Sequence, residues 1–351
     1  MERACKQGAY STLHALLVEM GMDPSQSMEI DNDFDDYVTE LEDEYVDYVK
    51  MRPLALVIEY ADTVQHCKCI ALLLRAGADP LNECYYDDTG TDDLSMDAIT
   101  YLLKSMRNWI YMATLDRLRV FLQILALLLA HTKETPRNLP FASSTSNNTK
   151  QEVPLDQAIM LGSCESEHTE YMCWNAVSML LECEHLCIHT RLGALNTALR
   201  HVKSTALCVR LCQKLLDAGV SVNETSSLRD LATDALLTKQ TTPLIASTSR
   251  RGADCLVLTH LLLDAPHANP NLLVKKSNGS QHTCLSTAAR HRTHARPLVR
   301  LLLSYGADPL LPIAPHGTLL DAMEPEAAAL VREVMASDAS FMLPNKHPRL
   351  L

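Results

Sequence analysis

The stretch VRLLLSYGADP, residues 299–309, decides how this chain folds. Its Leu-rich half is helical in pattern. Gly306 can take the left-handed conformation that closes a helix, and Pro309 cannot continue one. The same pattern returns as LHALLVEMGMDP (13–24), IALLLRAGADP (70–80), CQKLLDAGVSVN (212–223) and LTHLLLDAPHANP (258–270). Gly21, Gly77 and Gly219 stand where Gly306 stands, and Pro24 and Pro80 where Pro309 stands. One helix with one stop signal is written five times.

Ahead of these stops lies a shorter helical signature. In TTPLIAS (241–247), Thr242 is placed as N-cap and Pro243 at the first helical position, where its missing N–H costs nothing. Looser copies are RPLALVIEYA from Arg52, VPLDQAIMLG from Val153, GALNTALRHV from Gly193, TCLSTAARHR from Thr283 and GTLLDAM from Gly317. A short capped helix, a turn, a longer Leu-rich helix and a glycine stop form one unit.

With these motifs the chain resembles the ankyrin-repeat family, whose unit opens with Thr-Pro-Leu-His-x-Ala and closes with Leu-Leu-x-x-Gly-Ala-Asp. Leu285 and Leu319 are 34 residues apart, close to the family's ~33. Earlier intervals are stretched: 42 from Leu54 to Met96, 40 from Leu155 to Leu195, 49 from Leu195 to Leu244 and 41 from Leu244 to Leu285. The resemblance implies an all-α solenoid of about eight helix-turn-helix units with long finger loops, in which stacking neighbours create the core. ACKQGAY near the start reads as the end of a truncated first helix, and STLHA runs into a second helix. Residues 94–131 read as all-helical, and EAAALVREVMAS (326–337) as a last helix. The organisation expected is N-terminal repeats over 1–132, a Ser/Thr/Asn/Pro-rich disordered linker over 133–152, C-terminal repeats over 153–338 and an extended tail over 339–351. Ser143, Ser144 and Ser146 in the linker are sterically open to phosphorylation.

Composition agrees with helices. Apolar residues make up 47%, aromatic residues 5%, and there are 11 glycines, so Leu, Ala, Met, Ile, Val and Cys must build the core. The most apolar run, 120–130, is about half a membrane span. Twelve cysteines lack framework spacing and several lie in Leu-rich segments, as small buried thiols of a reducing compartment do. The net charge of −12 is uneven: residues 23–97 hold 20 acidic and 4 basic side chains, and the remainder is mildly basic.

The extra residues of the stretched repeats fall in the fingers that the resemblance places between a glycine stop and the next capped helix. The finger from Gly306 to Thr318 takes 12 residues, whereas those from Gly21 to Arg52, Gly77 to Ser95 and Gly219 to Thr242 take 31, 18 and 23. Loops on a rigid stack are where binding residues sit. The first two fingers mix carboxylates with aromatics, which suits a basic, partly apolar protein segment. The candidate partner-binding residues are Asp31, Asp33, Phe34, Asp35, Asp36, Tyr37, Tyr45, Tyr48, Tyr85, Tyr86, Asp87 and Asp88. A solvated acidic insertion is the competing reading.

Other chemistry is weighed against context. DNDFDDYVTELE (31–42) approaches the spacing of an EF-hand calcium loop, but Asp36 stands where glycine makes the sharp turn, and no helix leads in. Cys183, His185, Cys187 and His189 have zinc-like spacing, yet Cys208 and Cys212 repeat it inside a core helix. ARHRTHARPLVR (289–300) concentrates Arg290, Arg292, Arg296, Arg300, His291 and His294 at a turn between helices, and net acidity argues against nucleic acid as the main ligand. No phosphate loop, hydrolase elbow, HExxH or kinase set is present. The reading is a monomeric, non-catalytic scaffold without cofactor, metal, nucleic acid or membrane, working in the cytoplasm or nucleus. The alternatives are a ubiquitin-ligase adaptor of the ankyrin/SOCS-box type, for which the tail MLPNKHPRLL offers only a Leu-Pro and terminal leucines, and a calcium-regulated scaffold.

Overall fold

The computed structural model describes residues 1–31, 48–87, 94–110, 113–134, 154–183, 193–229, 236–275, 281–313 and 317–337. Two compact units divide between Arg191 and Leu192. In the first, helices pair as α1 (Glu2–Lys6) with α2 (Tyr10–His14), α3 (Pro53–Glu59) with α4 (Val64–Arg75), α5 (Ala98–Trp109) with α6 (Leu115–Glu134), and α7 (Pro154–Met160) with α8 (Glu167–Glu182). A π-helical turn, Ala15–Glu19, prolongs α2. In the second, the pairs are α9 (Ala194–His201) and α10 (Thr205–Asp217), α11 (Pro243–Thr248) and α12 (Asp254–Leu263), α13 (Cys284–Ala288) and α14 (Ala295–Ser304), α15 (Leu319–Ala322) and α16 (Pro325–Ser337).

Within each unit the pairs stack in two rows. First helices pack on first helices, α1 on α3 on α5 on α7 and α9 on α11 on α13. Second helices do the same, α2 on α4 on α6 on α8 and α10 on α12 on α14 on α16. The first helices are walled on several sides, so every residue of Pro53 to Ile58 in α3 and of Pro243 to Thr248 in α11 is buried. Second helices bury one stripe, such as Leu298, Val299, Leu302 and Leu303 of α14. Each fully buried Leu is worth about 1.5–3 kcal/mol. In α11 the buried hydroxyls are satisfied: Ser247 donates to the Leu244 carbonyl at 3.0 Å and lies 3.0 Å from Thr259 Oγ1, and Thr248 donates to the Ile245 carbonyl at 3.0 Å.

The caps and stops work as their residue types require. Thr242 Oγ1 accepts from Ile245 N at 3.3 Å, and Thr283 and Thr318 form capping boxes with Ser286 and Asp321. Gly21, Gly77, Gly219 and Gly306 have φ of 64°, 104°, 83° and 83°. Around Gly306, Gly306 N donates to Leu303 O and Ala307 N to Leu302 O, both at 3.0 Å, closing the helix in a Schellman arrangement. In the aligned HANP the left-handed position is held by His267, at φ 64°.

The polar residue two positions on explains the rest of the motif. Oδ1 of Asp23, Asp79, Asn269 and Asp308 accepts from the backbone N of Ser25, Leu81, Asn271 and Leu310 at 2.8–3.0 Å, skipping a proline that has no N–H to give. Asn223 and Asn271 then tie repeats together. Asn223 Nδ2 donates to His267 O at 2.5 Å and its Oδ1 accepts from Asn269 N at 2.8 Å. One repeat later, Asn271 Nδ2 donates to Gly306 O at 3.0 Å and its Oδ1 accepts from Asp308 N at 2.7 Å.

Three details differ from the sequence reading. Residues Leu94–Asp97 are a strand, because they complete a ladder whose partner lies seven residues upstream; helix begins at Ala98. Helix α6 runs through Lys133 and Glu134, so the linker assignment begins inside a helix, and its residues 135–152 lie outside the described set. Segment 154–183 packs with the first unit, α7 on α5 and α8 on α6.

A Cβ at Gly306 would meet open space, so the cost of Gly306→Ala is purely conformational. It is expected to lower unfolding stability by about 1 kcal/mol, while His267→Gly raises it by about as much. Urea denaturation checks both, and a wild-type midpoint for the two variants would contradict the left-handed assignments.

Candidate functional site

The fingers are β-hairpins. In the first unit β1 (Met28–Asp31) pairs antiparallel with β2 (Tyr48–Met51), and β3 (Glu83–Asp87) with β4 (Leu94–Asp97). The two hairpins belong to consecutive repeats and join, β2 pairing with β3 through Val49↔Asp87, Lys50↔Tyr86 and Met51↔Tyr85. One four-stranded sheet results, in the order β1-β2-β3-β4. In the second unit β5 (Ser226–Arg229) with β6 (Leu236–Thr241), β7 (Val274–Lys275) with β8 (Gln281–His282), and β9 (Pro312–Ile313) with β10 (Gly317–Thr318) are two-stranded.

The sheet brings together five of the twelve candidate residues. Asp31 and Tyr48 are cross-strand partners, and Tyr85, Tyr86 and Asp87 lie on the strand hydrogen-bonded to β2. Asp33, Phe34, Asp35, Asp36, Tyr37 and Tyr45, between β1 and β2, and Asp88, after β3, lie outside the described residues. The central strand went unnoticed in the sequence, although YVKM directly before the helix-starting Arg52-Pro53 has the composition and length of a strand.

The repeat core anchors the base of this sheet. Met51 and Met96 are buried, and β2, β3 and β4 pack on α3 or α5. Ala98 N donates to Pro80 O at 3.1 Å, tying the end of β4 to the preceding stop. Asp97 ends β4 and caps α5: its Oδ1 accepts from Ile99 N at 2.9 Å and Thr100 N at 2.8 Å, and its Oδ2 from Thr100 Oγ1 at 2.8 Å. Burial pushes this carboxyl above its usual value, against the pull of those donors. Glu59 at the end of α3 accepts from Tyr101 Oη at 2.7 Å and Ser105 Oγ at 3.0 Å, so α3 and α5 hold the two hairpins in one frame.

The remaining sequence candidates resolve as follows. Cys183 lies at the end of α8 in extended backbone, and His185, Cys187 and His189 are outside the described residues. Among the described residues no group of three or more His, Cys, Asp and Glu side chains is placed to hold a metal ion. Of the calcium-like loop 31–42, only Asp31 is described, and the tail 339–351 lies outside. The basic stretch 289–300 spans the turn between α13 and α14 and the first turns of α14, with Arg290 and Arg296 paired to Glu324 and Glu333 at 3.2 and 2.5 Å. No described helix is long and apolar enough to cross a membrane.

A short helix, a turn, a longer helix with a left-handed stop, and a hairpin leading to the next short helix recur from α1 to α5 in the first unit and from α9 to α15 in the second. The fold is that of ankyrin repeats. No protein-family model and no curated protein sequence matches this chain. Among solved structures the chain is similar to the ankyrin repeat domain of Bcl-3, described as a unique member of the IkappaB protein family, at 19% identity over 94% of this chain and 96% of that one, with a TM-score of 0.36. It is also similar to the human ASB11 ankyrin repeat domain, at 17% identity over 88% of this chain and 98% of that one, with a TM-score of 0.39.

Asp97 yields a test of how the sheet is anchored. Asp97→Ala removes the cap and is expected to cost about 1 kcal/mol, whereas Asp97→Asn keeps a capping oxygen. Because the folded chain holds this proton to higher pH than the unfolded chain, Asp97 makes stability fall as pH rises from ~3.9 through the raised folded value. Thermal melts at successive pH values should show that fall flattened in Asp97→Asn; an unchanged profile would contradict the raised carboxyl.

Proposed function

We propose that this protein is a non-catalytic interaction scaffold whose first unit binds a basic, partly apolar segment of a partner protein through the acidic finger sheet. The observation that carries the reading is the joining of the first two hairpins through β2 and β3, because it gathers Asp31, Tyr48, Tyr85, Tyr86 and Asp87 onto neighbouring strands. Carboxylates speed the encounter with a cationic segment and fix its register, and aromatics supply the anchoring contact. The acidic excess of residues 23–97 belongs to the same fingers. On this reading the binding segment of the partner carries Lys or Arg interleaved with apolar residues, and the protein itself works as a monomer in the cytoplasm or nucleus.

Charge and geometry are separable. Replacing residues 32–47 by a Gly-Ser linker of equal length removes acidic side chains, while Val49→Pro leaves every charge in place and removes a ladder hydrogen bond from the strand that lies between β1 and β3. With a partner captured by affinity purification, both variants should bind at least about tenfold more weakly than wild type. Wild-type binding should also weaken steeply from low to physiological salt. Equal capture by the linker variant at both salt concentrations would defeat the proposal.

A further inference from the structure

The turns between first and second helices in the second unit form a second, oppositely charged surface. Thr248, Ser249, Arg251 and Gly252, at the turn from α11 to α12, and Thr287 with residues 290–293, at the turn from α13 to α14, line one groove of about 680 Å³. That volume is within the range of ligand-binding clefts. Three arginines line it, Arg251 from one turn and Arg290 and Arg292 from the next, and no Asp or Glu is among its lining residues.

These arginines are available. All three are exposed. Arg290 has one ion pair, with the exposed Glu324 at 3.2 Å, while Arg251 and Arg292 make none with any described residue. Arg250 is committed elsewhere, donating to Leu199 O at 2.6 Å and Val202 O at 3.0 Å across the repeat boundary. That anchor holds the turn carrying Arg251 in place. His291 is equally committed: its Nδ1 accepts from His294 N at 3.1 Å, and its Nε2 donates to Arg250 O at 2.8 Å. These two bonds tie the two turns together through the ring of His291.

The helix ends beside the groove add to the field. Helices α12 and α14 both begin at these turns, and neither N-terminus has a side-chain cap. The first turn of α14 holds no acidic residue. The acidic residue in the first turn of α12, Asp254, is taken by Thr205 and Arg250. The N-terminal dipole of α14, with no carboxylate in its own first turn, favours an anion.

We infer that this groove binds a phosphorylated segment of a partner polypeptide. A phosphomonoester presents three acceptor oxygens and nearly two negative charges, which match planar, bidentate guanidinium donors converging from two turns. The arginines are confined to two turns, so the groove suits one phosphate and its flanking residues. A nucleic-acid backbone would instead need a long basic track, and the acidity of the chain repels it.

Fluorescence anisotropy at about 0.15 M salt tests the assignment. The probes are a labelled degenerate peptide pool with one central phosphoserine, its unphosphorylated twin, and a labelled single-stranded oligonucleotide. The phosphorylated pool should bind at least about tenfold tighter than either other probe, and millimolar inorganic phosphate should displace it where equal chloride does not. The double variant Arg251→Gln/Arg292→Gln, with wild-type melting temperature, should lose that preference. Arg251→Lys/Arg292→Lys should retain part of it, and Arg119→Gln in the first unit all of it. Equal binding of the two peptide pools, tighter binding of the oligonucleotide, or failure of phosphate to displace the peptide would overturn the assignment even if the glutamine variant does not fold.

Discussion

A helix of five or six residues, such as α13 or α11, does not hold together alone in water, because nucleation fixes several residues for a single hydrogen bond. The first helices of this protein persist because neighbouring repeats bury them and finish them. Their C-terminal carbonyls, left without partners by the helix itself, are met from the next repeat: Glu59 and Ala61 by Arg117 at 3.4 and 3.0 Å, and Leu199 and Val202 by Arg250. Each repeat completes a helix that belongs to its neighbour, so stacking is a condition of folding as well as its result. The hairpins depend on the same stack, since β2 and β3 meet only because α3 and α5 set consecutive fingers side by side.

The helical half of the repeat was legible in the sequence because its signals are residue types with no substitute at low cost. Proline at a helix start, threonine before it and glycine at a left-handed stop each answer a backbone requirement, and Thr242, Pro243 and Gly306 serve as read. His267 was harder to see, because a left-handed residue need not be glycine when the turn around it is held by Asn223 and Asn269. The sheet was not legible for a different reason. Pairing Lys50 with Tyr86 joins residues 36 apart, a relation absent from any local window, and LSMD is too short for its period to separate strand from helix. The candidate site residues were therefore named in two separate fingers that the structure joins. Arg251 was passed over because an isolated charge in a turn reads as solvated; only the repeat brings it beside Arg290 and Arg292, about forty residues on.

The cysteines follow from the same packing. Among the described residues ten are free, and of these all but Cys164 are buried. Burial pushes Cys5 and Cys284 up to about 12 and Cys69 to about 11, so each is a neutral thiol at neutral pH and serves the core as a small apolar group with a weak donor. Cys284 gives its S–H to Pro270 O at 3.1 Å, and Cys173 to Ile159 O at 3.5 Å, each linking a helix to the segment before it. The spacing of Cys208 and Cys212 is that of adjacent turns on one buried helical stripe, which is why a ligand-like spacing here has a packing cause.

Charge, by contrast, sits on elements that the stacking row does not need. The rows of first and second helices bury apolar faces, which leaves fingers and turns free to carry opposite signs: acidic in the first unit's fingers, basic in the second unit's turns. Beyond the ~8 Å over which charges act at physiological salt, neither surface feels the other's ligand. Within that distance each rejects what the other attracts, since a cationic segment is repelled by Arg251, Arg290 and Arg292, and a phosphate by the carboxylates of the finger sheet. Repulsion of the wrong ligand separates two partners as effectively as attraction of the right one. On the two proposals, fingers and turns of opposite sign let one repeat protein tell two chemically distinct segments apart.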